Sequence, residues 1–269
     1  ETAMLTFTVD PARCTKCGLC ELDCPSRIIE IPAGGTPLIR SESEERCLRC
    51  QHCLAVCPTA AISILGRDPA DSIPLAVGSF PTLEQMTRLV KGRRSVRQYK
   101  DQNVNPVLLQ QLLTTLTNAP SGVNRMAVTF SVIDDKAAMQ RFRIKTLTRL
   151  AEEMRAGRVP ERFAYINQAV PAWFEHKADV IFRGAPHLLA AAAGPDAACP
   201  QEDVTLALAY FELMAVCAGL GTVWCGLAKM TLELLPELKA DLGLAPDRFY
   251  YAMLFGVPAV RYARTVQRD

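Results

Sequence analysis

Cys14 to Pro25 reads CTKCGLCELDCP, and Cys47 to Pro58 reads CLRCQHCLAVCP. Both runs follow C-x2-C-x2-C-x3-C-P, as Cys14, Cys17, Cys20, Cys24, Pro25 and as Cys47, Cys50, Cys53, Cys57, Pro58, so each position recurs 33 residues on. The flanks repeat too, since Ile29 and Ile31 map onto Ile62 and Ile64. This is a duplicated half-domain, each half a cysteine loop followed by a short apolar strand. Eight of the eleven cysteines sit in these runs. A secreted disulfide framework belongs to short chains without a large separate core. Here 269 residues, 49% of them apolar, leave room for one core or two.

The spacing is that of metal or redox chemistry. A cubane needs four thiolates arriving from different directions. Three cysteines on a tight loop cap three irons, while the fourth, held by the proline turn, points toward the other half. Zinc sites instead pair cysteines far apart or mix them with histidine, and His52 is the only histidine nearby. The run is similar to that of bacterial two-cluster ferredoxins, whose fourth cysteine ligates the neighbouring cluster. Residues 1–66 therefore resemble a 2[4Fe–4S] ferredoxin-type domain. The expected ligand sets are Cys14, Cys17, Cys20 and Cys57 for one [4Fe–4S] cluster, and Cys47, Cys50, Cys53 and Cys24 for the other.

A net charge of +2 gives no reason to expect a nucleic-acid partner. No apolar run nears the roughly 20 residues that span a bilayer; the longest candidate is LLAAAA, Leu188 to Ala193. The start ETAMLTFTVD lacks a basic stretch followed by an apolar block. A cytoplasmic protein with no membrane partner is expected, with Glu1 to Ala3, ahead of Met4, read as non-native.

Past AISILG the texture changes. Residues 67–80 are rich in proline, serine and glycine without period and read as a linker; residues 81–269 form the second domain. Thr82 and Gln85 make a capping-box pattern before Leu83, Met86, Leu89 and Val90. Asn105-Pro106 starts a second helix. Ala127 to Ile133 reads as a strand, Lys136 to Arg155 as a long polar helix with a solvated face, and HLLAAAA as a buried strand. Helices follow over Val204 to Leu220 and Thr231 to Leu242, and RFYYAMLFGVP closes as a strand. The order is α+β, a central sheet flanked by helices. It does not alternate as a doubly wound nucleotide fold does.

Four stretches of this domain could carry chemistry. Arg93, Arg94, Ser95 and Arg97 lie in RRSVR at a helix end, where guanidinium groups can grip phosphate or be solvated against the helix dipole. Asn118 to Asn124 (NAPSGVN) is a turn-forming segment. Gly219 to Gly226 (GLGTVWCG) fails the dinucleotide fingerprint but reads as a backbone-exposing stretch that a flat ligand could approach. The tail RYARTVQRD carries Arg261, Arg264 and Arg268.

In their order and spacing these four resemble the FMN-binding segments of the nitroreductase family, over about residues 81–269. The whole chain is similar to ferredoxin-fused nitroreductases. The resemblance implies that Arg93, Arg94, Ser95 and Arg97 bind the phosphate, ribityl chain and pyrimidine edge of FMN. Arg264 matches the C-terminal phosphate-binding arginine, with Arg268 a second candidate. Trp224, Cys225 and Gly226 match the segment facing flavin N5 and O4, with the Cys225 N–H as the N5 donor. Pro120, Ser121, Gly122 and Asn124 match a loop that reaches the partner subunit's FMN, which implies a homodimer with FMN at the interface. The family's usual Gln-Pro after this loop is Met126-Ala127 here. The family's variable substrate-covering region falls within residues 137–180. His176 and His187 read as surface or structural residues, Cys199 and Cys217 as small packed apolar groups; no catalytic side chain is named.

The expected function is an FMN-dependent, nitroreductase-type oxidoreductase. Two [4Fe–4S] clusters pass single electrons to FMN for two-electron reduction of a small-molecule acceptor such as a nitroaromatic or quinone, with NAD(P)H or a ferredoxin as donor. The alternative is a flavo-iron–sulfur protein that relays electrons to, or senses redox for, a protein partner.

Overall fold

The computed structural model describes residues 5–268, so the reading of Glu1 to Ala3 falls outside it. The chain divides into two compact units, one ending at Phe80 and the other opening at Pro81.

The first unit runs through β1 (Thr8–Val9), α1 (Leu19–Leu22), β2 (Ile29–Glu30), β3 (Leu38–Ile39), α2 (His52–Ala55) and β4 (Ile62–Ser63). β1 pairs antiparallel with β4, and β2 with β3. The sequence duplication is also a backbone duplication. Left-handed residues recur at the same offset: Lys16 (φ 56°) and Arg49 (53°), Gly18 (79°) and Gln51 (60°), Arg27 (50°) and Ala60 (51°). Such turns curl each loop so that its cysteines face inward. Among the described residues the apolar cluster at its centre is small, six buried side chains: Cys20, Ile29, Cys53, Leu54, Ile62 and Ile64. A core this small is ordinarily reinforced by a metal or a cross-link.

The second unit is built differently. It contains α3 (Leu83–Gly92), α4 (Pro106–Thr115), β5 (Thr129–Ile133), α5 (Lys136–Arg155), α6 (Ile166–His176), β6 (His187–Ala193), α7 (Pro200–Cys217), β7 (Gly221–Trp224), α8 (Gly226–Leu234), α9 (Pro236–Asp241) and β8 (Phe249–Gly256). The helix starts follow their caps. Thr82 Oγ1 accepts from Gln85 N at 3.2 Å while Gln85 Oε1 accepts from Thr82 N at 2.8 Å. Asn105 and Asp135 cap α4 and α5 by accepting alone, from Val107 N and Leu108 N and from Ala138 N. The sheet order is β5-β6-β8-β7, every pair antiparallel.

Helices cover both faces of this sheet, which is why β6 is apolar without alternation. Leu188, Ala190 and Ala192 face a core with α5, α6, α8 and α9; Leu189, Ala191 and Ala193 face α4 and α7. α5 buries Met139, Phe142, Leu147 and Leu150. Its outer face is solvated, with Lys145 paired to Asp241 and Arg149 to Glu237. Most of the span 137–180 is thus core-building helix. One buried ion pair ties it down: Arg143 Nε meets Asp179 Oδ2 at 2.7 Å, Arg143 Nη2 donates to Ala185 O, and Asp179 accepts from Phe182 N and Gly184 N.

Three elements and two cysteines depart from the sequence reading. The helix expected over Thr231 to Leu242 is broken at Leu235, because Pro236 disfavours helical geometry before it and cannot donate its amide. α7 begins at Pro200, four residues before Val204. The segment read as exposed glycine-rich backbone is β7, in the sheet. Cys199, the N-cap of α7, and Cys217, its last residue, are exposed rather than buried, as the ends of a helix allow.

Candidate functional site

None of the eleven cysteines is in a disulfide. In the first unit the eight repeated cysteines surround two cavities. One is lined by Cys24, Cys47, Cys50 and Cys53, the other by Cys14, Cys17, Cys20 and Cys57. Each cavity therefore takes three cysteines from one half and the fourth from the other. Among the described residues no three His, Cys, Asp or Glu side chains close on a single-ion position. Each quartet of cysteines lines one shared space, as ligation of a polynuclear cluster requires. The donor set fits a four-iron cluster in each cavity.

Burial raises the thiol pKa of Cys20, Cys47 and Cys53, the last to about 12, with neighbouring cysteines adding to the shift. Metal coordination must therefore displace protons that the empty pocket would keep. Main-chain amides already point at two sulfurs, Ala61 N to Cys57 Sγ at 3.2 Å and Arg49 N to Cys47 Sγ at 3.4 Å.

In the second unit the segment after α3 is held by two neighbours. Ser95 pairs in parallel with Thr222 of β7, and Val96 N donates to Thr222 O at 2.8 Å. Further on, Tyr99 pairs with Pro258, Lys100 N donates to Val257 O, and Ala259 N donates to Gln98 O. Gly221 permits the approach to β7, because a Cβ there would meet Val96 at 2.6 to 2.8 Å. Clamped between β7 and the chain leaving β8, this segment brings the arginines near the C-terminal tail. The result is a cavity of about 500 Å³ lined by Val90, Lys91, Arg93, Arg94, Thr265, Val266, Gln267 and Arg268. Its cationic lining fits a phosphate ester.

Not every expected residue lies there. Arg264 is exposed and outside the lining; Arg268 stands in its place. Arg97 is exposed, with Nη1 3.2 Å from Ser95 O. Arg93 lines the cavity, but its Nη1 is bound to the buried Glu212 carboxylate at 2.9 Å. One of the three clustered arginines is thus tied into the fold, a pairing that nothing in RRSVR reveals.

The β7–α8 junction also differs in detail from expectation. The Cys225 amide donates to Ala252 O at 2.9 Å within the sheet, so it cannot also serve a ligand. Its thiol donates to Ile181 O and accepts from Ala228 N, capping α8, and burial pushes it up to about 11. Gly226 supplies the first helical amide, which has no acceptor inside the helix. Trp224 packs edge-on against Tyr251, whose hydroxyl lies 3.4 Å from where a Gly226 Cβ would stand.

Pro120 and Ser121 line a separate cavity with Thr117, Met126, Phe130 and Asp203. Gly122 and Asn124 belong to the same turn, where Gly122 N donates to Asp203 Oδ1 at 2.8 Å. The sequence reading does not reach Asp203, because it starts α7 at Val204, one residue past this carboxylate. His187 is buried and structural: its Nε2 accepts from Val104 N at 2.9 Å, and its ring stacks on Phe255. His176 is exposed. Among the described residues no helix is long and apolar enough to cross a membrane.

Comparison with known proteins agrees with this geometry. Residues 13–62 match the model of a 4Fe-4S dicluster domain, and residues 90–257 match the model of the nitroreductase family. No curated protein sequence matches significantly. Among solved structures, the chain is similar to a nitroreductase with bound FMN from Bacteroides fragilis NCTC 9343. The identity is 18%, the TM-score 0.55, and the match covers 68% of this chain and 95% of that one. A nitroreductase with bound FMN from Desulfitobacterium hafniense DCB-2 is 21% identical with a TM-score of 0.53, covering 68% and 93%. At such identities the likeness is one of fold, and it spans the second unit's share of the chain. With more than half of its residues matched by the family model, the chain belongs to the nitroreductase family and carries a 4Fe-4S dicluster domain ahead of the family domain.

Proposed function

We propose that the chain is an FMN-dependent oxidoreductase whose two four-cysteine cavities hold [4Fe–4S] clusters that feed the flavin site. When bound, clusters carry electrons singly, and FMN accepts them singly and delivers them in pairs to a small electrophile such as a nitroaromatic or quinone. The chain's own residues bind and orient. Arg94 and Arg268 grip the phosphate, with Arg93 braced by Glu212. The Gly226 amide, in place of Cys225, faces the ring edge. The Pro120–Asn124 loop reaches the flavin of a second copy in a homodimer. No side-chain acid or base is assigned. The electron donor is a reduced ferredoxin or NAD(P)H, and the setting is the cytoplasm.

The observation that carries this reading is the arginine-lined cavity assembled from both ends of the second unit. Anaerobic purification followed by iron, sulfide and flavin analysis tests it. About eight irons and one FMN per chain are expected, and a chain without flavin would defeat it. Cys24→Ala should deplete the cluster of Cys47, Cys50 and Cys53; loss of the other cluster alone would refute the crossed sets. Mixing the dithionite-reduced protein with candidate acceptors then identifies the substrate class by which of them reoxidises it.

A further inference from the structure

The turn between α4 and β5 is strained. Val123, Asn124 and Met126, none of them glycine, adopt left-handed backbone with φ of 47°, 55° and 51°. Left-handed backbone at a residue other than glycine is strained and persists only where the surroundings over-determine it. Three contacts do so here. Ser121 Oγ accepts from Met126 N at 2.9 Å. Gly122 is seated so closely that a Cβ would stand 3.0 Å from both Ala198 Cβ and Cys199 Sγ. From α7, Asp203 Oδ1 accepts from Gly122 N at 2.8 Å.

Asp203 is the unusual member of this set. It is 2% exposed, and its second oxygen has no hydrogen-bond partner among the described residues. The carboxylate lines a cavity of about 140 Å³ beside Thr117, Pro120 and Ser121. Burying a charge with one oxygen unpaired is costly, and a neutral side chain would sit there more cheaply. Its place in the first turn of α7, at the positive end of the helix dipole, offsets part of that cost. What the charge supplies is a stronger acceptor for one main-chain amide.

We propose that Asp203 is a positioning residue that holds the Pro120–Asn124 loop, through the Gly122 amide, in the shape that meets flavin. This rests on the reading that the loop contacts FMN. Asp203 itself touches no reacting atom; it acts through the backbone.

The test uses the full chain, stripped of flavin and titrated with FMN, with the dissociation constant read from quenching of flavin fluorescence. Iron content and the melting temperature serve as folding controls. Asp203→Glu keeps the charge, but its extra methylene carries the carboxylate off the Gly122 amide and into the adjoining cavity. It should raise the FMN dissociation constant by about tenfold to a hundredfold, as the loss of a charged hydrogen bond does, and Asp203→Ala should do the same. Asp203→Asn keeps an acceptor oxygen and should stay within about threefold of wild type, as befits a retained neutral hydrogen bond. If Asp203→Ala does not fold, the Glu and Asn variants decide the matter between them. Unchanged affinity in Asp203→Glu, or an Asn variant as weak as Ala, would overturn the assignment. Wild-type protein that binds no FMN would bring down the functional proposal itself, an outcome visible before any variant is made.

Discussion

The two units solve the same problem by different means. The first gathers only six buried side chains into its apolar cluster and arranges its backbone around two cysteine-lined spaces. The second covers both faces of a four-stranded sheet with helices and has two large apolar cores. In one, the site comes before the core, and the fold depends on what the site holds. In the other the core comes first, and the site is a seam between segments that the core fixes in place. A binding site can therefore be a unit's source of stability or its by-product, and removing the ligand tells the two apart.

Removing iron is the largest intervention. Anaerobic chelation should abolish the first unit's cooperative melting entirely while leaving the second unit's transition in calorimetry, because metal-binding energy is folding energy where the apolar core is small. A first unit that still melts cooperatively without iron would erase the contrast. Next comes the second unit's buried ion pair. Arg143→Ala strands the Asp179 carboxylate, whose side chain is only 7% exposed, and should cost about 3–5 kcal/mol in urea denaturation.

Smaller is the effect on flavin. Arg94→Ala and Arg268→Ala should each weaken FMN binding by about 1.5–3 kcal/mol, the worth of a hydrogen bond to a charged group, with melting temperature unchanged in flavin-free protein. Arg93→Ala should instead lower that temperature by freeing the buried Glu212.

The smallest effect is one of pH. Burial holds the His187 imidazole below its ordinary value of 6.5, against an upward pull from the Ile133 backbone and from Asp134 and Asp135. The unfolded chain thus binds the proton first. The stability this neutral histidine contributes is complete above pH 6.5 and is lost as pH falls from there through the folded-state value. Calorimetry from pH 7 downward should show the second unit's melting temperature dropping, and His187→Leu should flatten that slope. The same variant should lower stability overall by about 1–3 kcal/mol, the cost of leaving the buried Val104 N–H unpaired.

How much of this was legible beforehand differs between the units for a physical reason. Cysteine chemistry is local: the x2-x2-x3 spacing and the 33-residue offset between Cys14 and Cys47 appear in the chain itself, and the left-handed residues recur in step. In the second unit the capped helices were readable, since Thr82 and Gln85, or Asn105 and Pro106, act on their own neighbours. Long-range pairing was not. Arg93 meets Glu212, and Gly122 meets Asp203, across gaps that no periodicity spans. Nor does a string of glycines show that Gly221 lies in a strand, or that the sheet consumes the Cys225 amide. That Arg268 and not Arg264 lines the cavity depends on how the chain turns after β8.

The clamp on residues 93–100 has a consequence for how the molecule is made. Both cysteine quartets are complete once residue 57 is translated, whereas the arginine cradle has no second wall until Arg268 emerges. On a ribosome working from the amino end, the proposed inorganic loading can begin while the whole second unit is still unwritten, and the proposed flavin capture must wait for the codon of Arg268.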